Sequence, residues 1–168
     1  VLYGGGSGLG IGFEIGETLK WAPEGTLGFD TCFEDIAVTV TGEEGNYEFE
    51  GDLDGSDNWE YICSVDPEGS KVPAINYPVF NFALNYANIA GLENSEYADN
   101  WYVPSVKELC DCSINYSIIL KAFEKVSGIS DLGYFWSRSQ DASFNRTAYL
   151  VNFLDGYVYS NMKCVNHN

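Results

Sequence analysis

The sequence predicts an α+β domain, and three observations carry that reading. Near the C-terminus two Tyr- and Val-rich runs, Thr147–Phe153 and Tyr157–Met162, flank the turn pair Asp155-Gly156. Such a pair between strand-forming runs signals a β-hairpin, because both turn residues must tolerate positive φ. Ser105 is followed three residues later by Glu108 and preceded by Pro104, so it opens a helix through a capping box, and the helix continues as VKELCDC. A second helical run, Ser117–Val126, ends at Ser127-Gly128. Strands and two main helices within 168 residues make one α+β domain spanning residues 1–168.

The remaining elements follow in chain order. Val1–Ile15 carries glycines at 4, 5, 6, 8, 10 and 12, yet fits neither G-x-G-x-x-G nor G-K-[ST], so it reads as an opening strand with close backbone packing. Phe33–Thr41 (FEDIAVTVT) reads as a strand. Residues 43–68 hold ten acids and no basic residue. Within them Asp52-Leu-Asp54-Gly-Ser-Asp57-Asn58 departs from a calcium loop, since Asp57 stands where the glycine is needed and Cys63 where the closing glutamate is. It reads instead as a tight turn before a strand at Trp59–Ser64. Tyr77–Gly91 sets Phe80, Ala83, Leu84 and Ala87 at helical spacing, with Gly91 as C-cap. A short strand, Tyr134–Ser139, leads into the closing hairpin. On its first arm Ala148, Leu150, Asn152 and Leu154 point one way and Tyr149, Val151 and Phe153 the other.

Charge and chemistry narrow the function. The net charge is −17, and residues 1–133 hold 23 acids against five lysines, while both arginines of the chain, Arg138 and Arg146, lie in the last stretch. An acidic body opposes nucleic acid and anionic membrane surfaces as partners. No apolar run approaches the ~20 residues of a membrane span. Five cysteines leave at least one unpaired in a monomer, and the Cys110-x-Cys112 spacing fits no zinc site. The single histidine, His167, reads as a solvent-exposed loop residue, and G-x-S-x-G does not occur. Neither enzymatic activity nor a cofactor is expected.

NWYVPSVKEL at 100–109, FWSRSQ at 135–140 and VNFLDGYVYSN at 151–161 together resemble the formylglycine-generating-enzyme-type branch of the C-type lectin fold. With GDLDGSDNWEYICSVDPEG and NYPVFNFALNYAN in the middle segment, the likeness narrows to the variable proteins of diversity-generating retroelements and covers about residues 46–168. It implies two main helices with small antiparallel sheets and much irregular loop. It also implies a surface-displayed receptor or adhesin whose C-terminal stretch, 134–168, varies to bind a protein or glycan ligand on another surface. The membrane would be reached only through an N-terminal lipid anchor preceding Val1, which is not a natural start, and the family chain continues a few residues past Asn168. The residues so implied are Arg138, Asp141, Phe144, Asn145, Arg146, Tyr149, Asn152, Leu154, Tyr157, Tyr159, Asn161, Cys164, Asn166 and His167. Phe153 and Val158 are expected in the core.

One check is independent of the resemblance. An Asn codon scrambled at its two adenines cannot become Lys, Glu, Gln, Met or Trp, and residues 144–161 contain none of these. Residues 1–136 contain 23 of them, and at that rate 18 clear positions in a row arise by chance roughly a few times in a hundred. Gln140, Met162 and Lys163 are then fixed positions. Two other activities of the fold stay open. A calcium-dependent sugar lectin needs E-P-N or Q-P-D, and neither occurs. A formylglycine-generating enzyme needs a copper-holding cysteine pair, whereas Cys164 has no matching partner and Cys110 and Cys112 fall on the capped helix.

Overall fold

A computed structural model describes residues 1–5 and 8–167. Gly6 of the glycine-rich opening and Asn168 at the end of the 134–168 stretch lie outside the described residues. Strands β1 (Leu2–Gly5) and β2 (Gly8–Ile11) come first, then α1 (Leu27–Asp30), β3 (Ala37–Glu43) and β4 (Asn46–Gly51). The middle of the chain is helical: α2 (Asn58–Val65), α3 (Pro73–Asn76), α4 (Pro78–Leu84) and α5 (Tyr86–Ile89). After β5 (Trp101–Tyr102) come α6 (Val106–Ser113), α7 (Tyr116–Ser127), β6 (Tyr134–Asp141), β7 (Thr147–Asn152) and β8 (Val158–Met162). The architecture is α+β. A three-stranded antiparallel sheet has the order β2-β1-β5, and a five-stranded sheet the order β4-β3-β6-β7-β8. The larger sheet is mixed rather than purely antiparallel, because β3 runs parallel to β6 at Ala37↔Gln140 and Val38↔Asp141.

The alternation read on β7 decides where the cores sit. Ala148 and Leu150 join Trp21, Phe33, Tyr77, Phe80 and Trp136 in one buried cluster. Tyr149 and Val151, with Phe153 just beyond the strand, join Val106, Leu109, Phe123 and Leu132 in the other. Successive side chains of a strand face opposite ways, so β7 is packed on both faces. Helices α6 and α7 cover the second face. The capping box on α6 is complete: Ser105 Oγ accepts from Glu108 N–H at 3.1 Å, and Glu108 Oε2 accepts from Ser105 N–H at 2.8 Å. Gly128 ends α7 in the left-handed conformation (φ 73°), which glycine adopts without steric cost.

Several expectations are corrected. Trp59–Ser64 is not a strand but the body of α2. Trp59 stacks on Phe80 at 5.7 Å and Ile62 is fully buried, a three-residue spacing that only a helix brings to one side. Packing here outweighs the strand preference of Trp, Tyr and Ile. Phe33 and Ile36 likewise both reach the first cluster, so Glu34–Ile36 form a 3-10 turn and β3 begins only at Ala37. The run at 77–91 is broken at Asn85 into α4 and α5, which leaves Leu84 exposed while Phe80, Ala83 and Ala87 are buried. Gly91 does close it, with φ 67° and Leu92 N–H donating to Ala87 O at 2.6 Å.

Candidate functional site

The turn after α1, the Asp52–Asn58 loop and the C-terminal strands meet around side chains that the fold consumes internally. Arg138 is 0% exposed; its Nη2 pairs with Asp52 Oδ2 at 3.0 Å and donates to Asp54 O. Burial lowers its pKa, and the Asp52 carboxylate opposes that shift. Glu108, having capped α6, also accepts from Gly55 N–H at 3.1 Å and from Tyr102 Oη at 2.8 Å. The acidic loop is thus a structural tie. Among the described residues no cluster of three or more His, Cys, Asp or Glu is placed to hold a metal ion. The expectation that Arg138 displays its side chain to a ligand is therefore corrected, because its guanidinium is buried and its Nη2 is committed to the loop.

Asp141, Tyr149 and Tyr157 come together in a groove of about 640 Å³ between the β3–β4 hairpin and β8. Asp141 is 6% exposed. Its carboxylate accepts from Ser143 N–H at 2.9 Å and Ser160 Oγ at 2.6 Å. Tyr149 is buried rather than displayed, and burial together with the Asp141 charge pushes its phenol up to about 12. Across the groove stand Glu43, Glu44 and Tyr47. Tyr47 Oη accepts from Val158 N–H at 3.3 Å and so spans the gap between the two walls.

An aromatic row continues from the groove along the sheet. Tyr157 (40% exposed) and Tyr159 (38% exposed) have ring centroids 4.6 Å apart, and Tyr134 lies 5.5 Å from Tyr159. The row ends at His167, which is half-buried rather than free in solvent. Its ring meets Trp136 edge-on at 5.2 Å, its Nε2 lies 3.2 Å from Asn161 Nδ2, and burial lowers its pKa. Asn152 and Leu154 shape the hairpin turn: Asn152 Nδ2 donates to Asp155 Oδ2 at 3.1 Å, its Oδ1 accepts from Leu154 N–H at 3.1 Å, and Leu154 is exposed.

Phe144, Asn145 and Arg146 form a separate exposed patch on the β6–β7 turn, held against α1. Asn145 Nδ2 donates to Asp30 O at 2.7 Å, Arg146 pairs with Asp30 at 2.7 Å, and its guanidinium covers Phe29. Asn166 is exposed, whereas Cys164 packs half-buried against the first cluster, which removes it from the displayed set. All five cysteines are free thiols.

Searches against protein-family models, curated proteins and solved structures return no match. The geometry alone therefore ranks the residues. Glu43, Glu44, Tyr47, Ser143 and Ser160 line the groove but were not expected there. The alternation Tyr47-Glu48-Phe49-Glu50 was the available signal for β4, and the high acid content of the segment masked it.

Proposed function

We propose that this is a non-enzymatic, surface-displayed ligand-binding protein of the C-type lectin type, in which the 134–168 stretch forms one side of the binding site and is diversified by a retroelement. The observation that carries this reading is the outer strand of the C-terminal hairpin. It offers Tyr157, Tyr159 and Asn161 on a frame whose next strand, β7, is packed on both faces. A frame fixed from both sides lets neighbouring positions change without loss of the fold. Tyrosine rings give large contact areas at low conformational cost. Within the stretch, Phe144, Asn145, Arg146, Leu154, Tyr157, Tyr159 and Asn166 are then the exposed positions open to a ligand, Asn161 is half-buried beside them, and Arg138, Tyr149 and Cys164 belong to the frame.

Deep sequencing of the gene's 3′ end across a growing population tests the reading. Changes confined to adenine-derived positions in codons 138–168, concentrated at those exposed residues and absent from Ala148 and Leu150, are the expected result. A uniform sequence would remove diversification. The second reading, a fixed glycan-binding module, draws on the paired Tyr157 and Tyr159 rings, which suit stacking on a sugar face. Reproducible hits on a glycan array together with a uniform gene would favour it.

A further inference from the structure

The groove between the β3–β4 hairpin and β8 has three properties that together define what fits it. The first is a strand edge left open at one residue. β8 is the outermost strand of the five-stranded sheet. Asn152 N–H donates to Tyr157 O and Lys163 N–H to Arg146 O, which fixes the odd-numbered residues 157–163 as the ones bonded to β7. The backbone of Val158, Ser160 and Met162 therefore faces away from the sheet. Val158 N–H is taken by Tyr47 Oη and Met162 N–H by Asn161 Oδ1, which leaves the amide of Ser160 facing outward between them.

The second is a buried charge without a counter-charge. Asp141 is more than nine-tenths buried and lines the groove, yet its partners are all neutral: the Ser143 N–H, the Ser160 hydroxyl and the Tyr149 phenol. None of the four ion pairs among the described residues includes it. A carboxylate has about four acceptor sites, so room remains for a cationic donor. The third is the lining: Glu43 and Glu44 stand on the opposite wall, Tyr47 and Tyr157 present rings, and no Lys or Arg contributes. Aromatic faces beside carboxylates attract cations.

We propose that this groove takes an extended, lysine- or arginine-bearing polypeptide segment, which pairs with the open edge of β8 at Ser160 and sets a cationic side chain against Asp141. Met162 O also accepts from Val165 N–H at 3.0 Å, so an incoming chain finds its backbone pair at Ser160 rather than along the whole strand. A neutral glycan would use the rings but leave the facing carboxylates unanswered. The inference rests on the ligand-binding reading above and deepens it. Glu43, Glu44 and Tyr47 lie outside the 134–168 stretch, so their share of the preference for a cation would belong to the scaffold, while Asp141 and β8 lie in the stretch proposed to vary.

The probe is a fluorescein-labelled acetyl-Lys-Thr-Lys-Thr-Lys-amide, with its Gln-for-Lys analogue as control, measured by fluorescence polarisation and by the amide NMR spectrum of the full chain. The lysine peptide is expected to bind and to shift the Ser160 amide, with the neutral analogue about tenfold weaker or worse. Asp141→Asn should cost about tenfold or more in affinity. Glu43→Gln with Glu44→Gln, both exposed and so harmless to folding, should weaken binding severalfold. Glu93→Gln with Glu96→Gln, on a remote exposed loop, should leave it within about twofold. Equal losses from the two glutamate pairs would overturn the proposal, since binding would then follow diffuse charge. So would peptide binding without a Ser160 shift. A Ser160 shift produced by neutral chitotetraose and not by the lysine peptide would overturn the ligand class while leaving the C-terminal binding face standing. The population sequencing decides diversification independently of every one of these results.

Discussion

Lys163 is fully buried, and its ammonium is held by carbonyls and rings rather than by a carboxylate. Nζ donates to Gly28 O at 2.7 Å and Thr31 O at 3.0 Å and lies 4.6 Å from the centre of the Trp21 ring. Burial lowers its pKa to about 7. The unfolded chain, titrating near the ordinary lysine value, then binds more protons than the native state at every pH between the two values. Stability from this group is thus complete above about 10.5, and it is lost as pH falls towards 7. Urea unfolding at pH 7 and pH 9 should show the wild type gaining stability relative to Lys163→Met, a comparison in which other titrations cancel. At pH 7 the variant leaves two carbonyls unpaired, at about 1–3 kcal/mol each, but it removes a buried charge. The codon argument kept Lys163 out of the variable set, and its two carbonyl bonds give a separate reason to retain it. Arg138 went the other way. Nothing in W-S-R-S distinguishes a displayed arginine from one tied to Asp52, because the partner lies in a distant part of the chain. Asp52→Asn should therefore destabilise by roughly 3–5 kcal/mol in denaturant titration, since it strips the counter-charge from a buried guanidinium.

Elements whose signals are local were legible, and those set by packing were not. The capping box at Ser105 and the left-handed stop at Gly128 each write their geometry into two to four adjacent residues, whereas the hairpin at Asp155-Gly156 forms with only Gly156 at positive φ (73°), because the last bonded pair is Asn152 with Tyr157 and the turn spans residues 153–156. Ser105→Ala should lower stability by about 1–2 kcal/mol, since the hydroxyl accepts from Glu108 N–H and also donates to Leu53 O at 2.8 Å. The strand expected at Trp59–Ser64 failed because aromatic and β-branched residues favour a strand until a surface at three-residue spacing, here Tyr77 and Phe80, claims them. β7 gives the sharpest element-scale test. Leu150→Ala empties space in the first cluster and should cost about 2–5 kcal/mol, whereas Leu154→Ala, exposed on the adjoining turn, should change the unfolding free energy by less than about 0.5 kcal/mol.

Across the whole molecule the charge of −17, carried by residues 1–133, acts as a pressure against compaction, with only four ion pairs among the described residues to relieve it. Raising NaCl from about 20 mM to 500 mM should increase the thermal midpoint by screening that repulsion. The candidate site was half legible at this scale. Of its C-terminal wall Asp141, Tyr149 and Tyr157 could be named from the sequence and Ser143 and Ser160 could not, while its acidic wall was hidden because residues 39–47 reach it only through the pairing of β3 with β6. That pairing joins positions 37–38 to 140–141 across a loop of about a hundred residues, and such closures come late and slowly in folding. On the ribosome, β3 and β4 must wait, unpaired on one edge, until β6 has been synthesised and has cleared the exit tunnel. The groove therefore has no precursor in any shorter nascent chain. Premature termination before Tyr134 would release a product with an open β3 edge, and its fate would be capture by chaperones or aggregation rather than partial function.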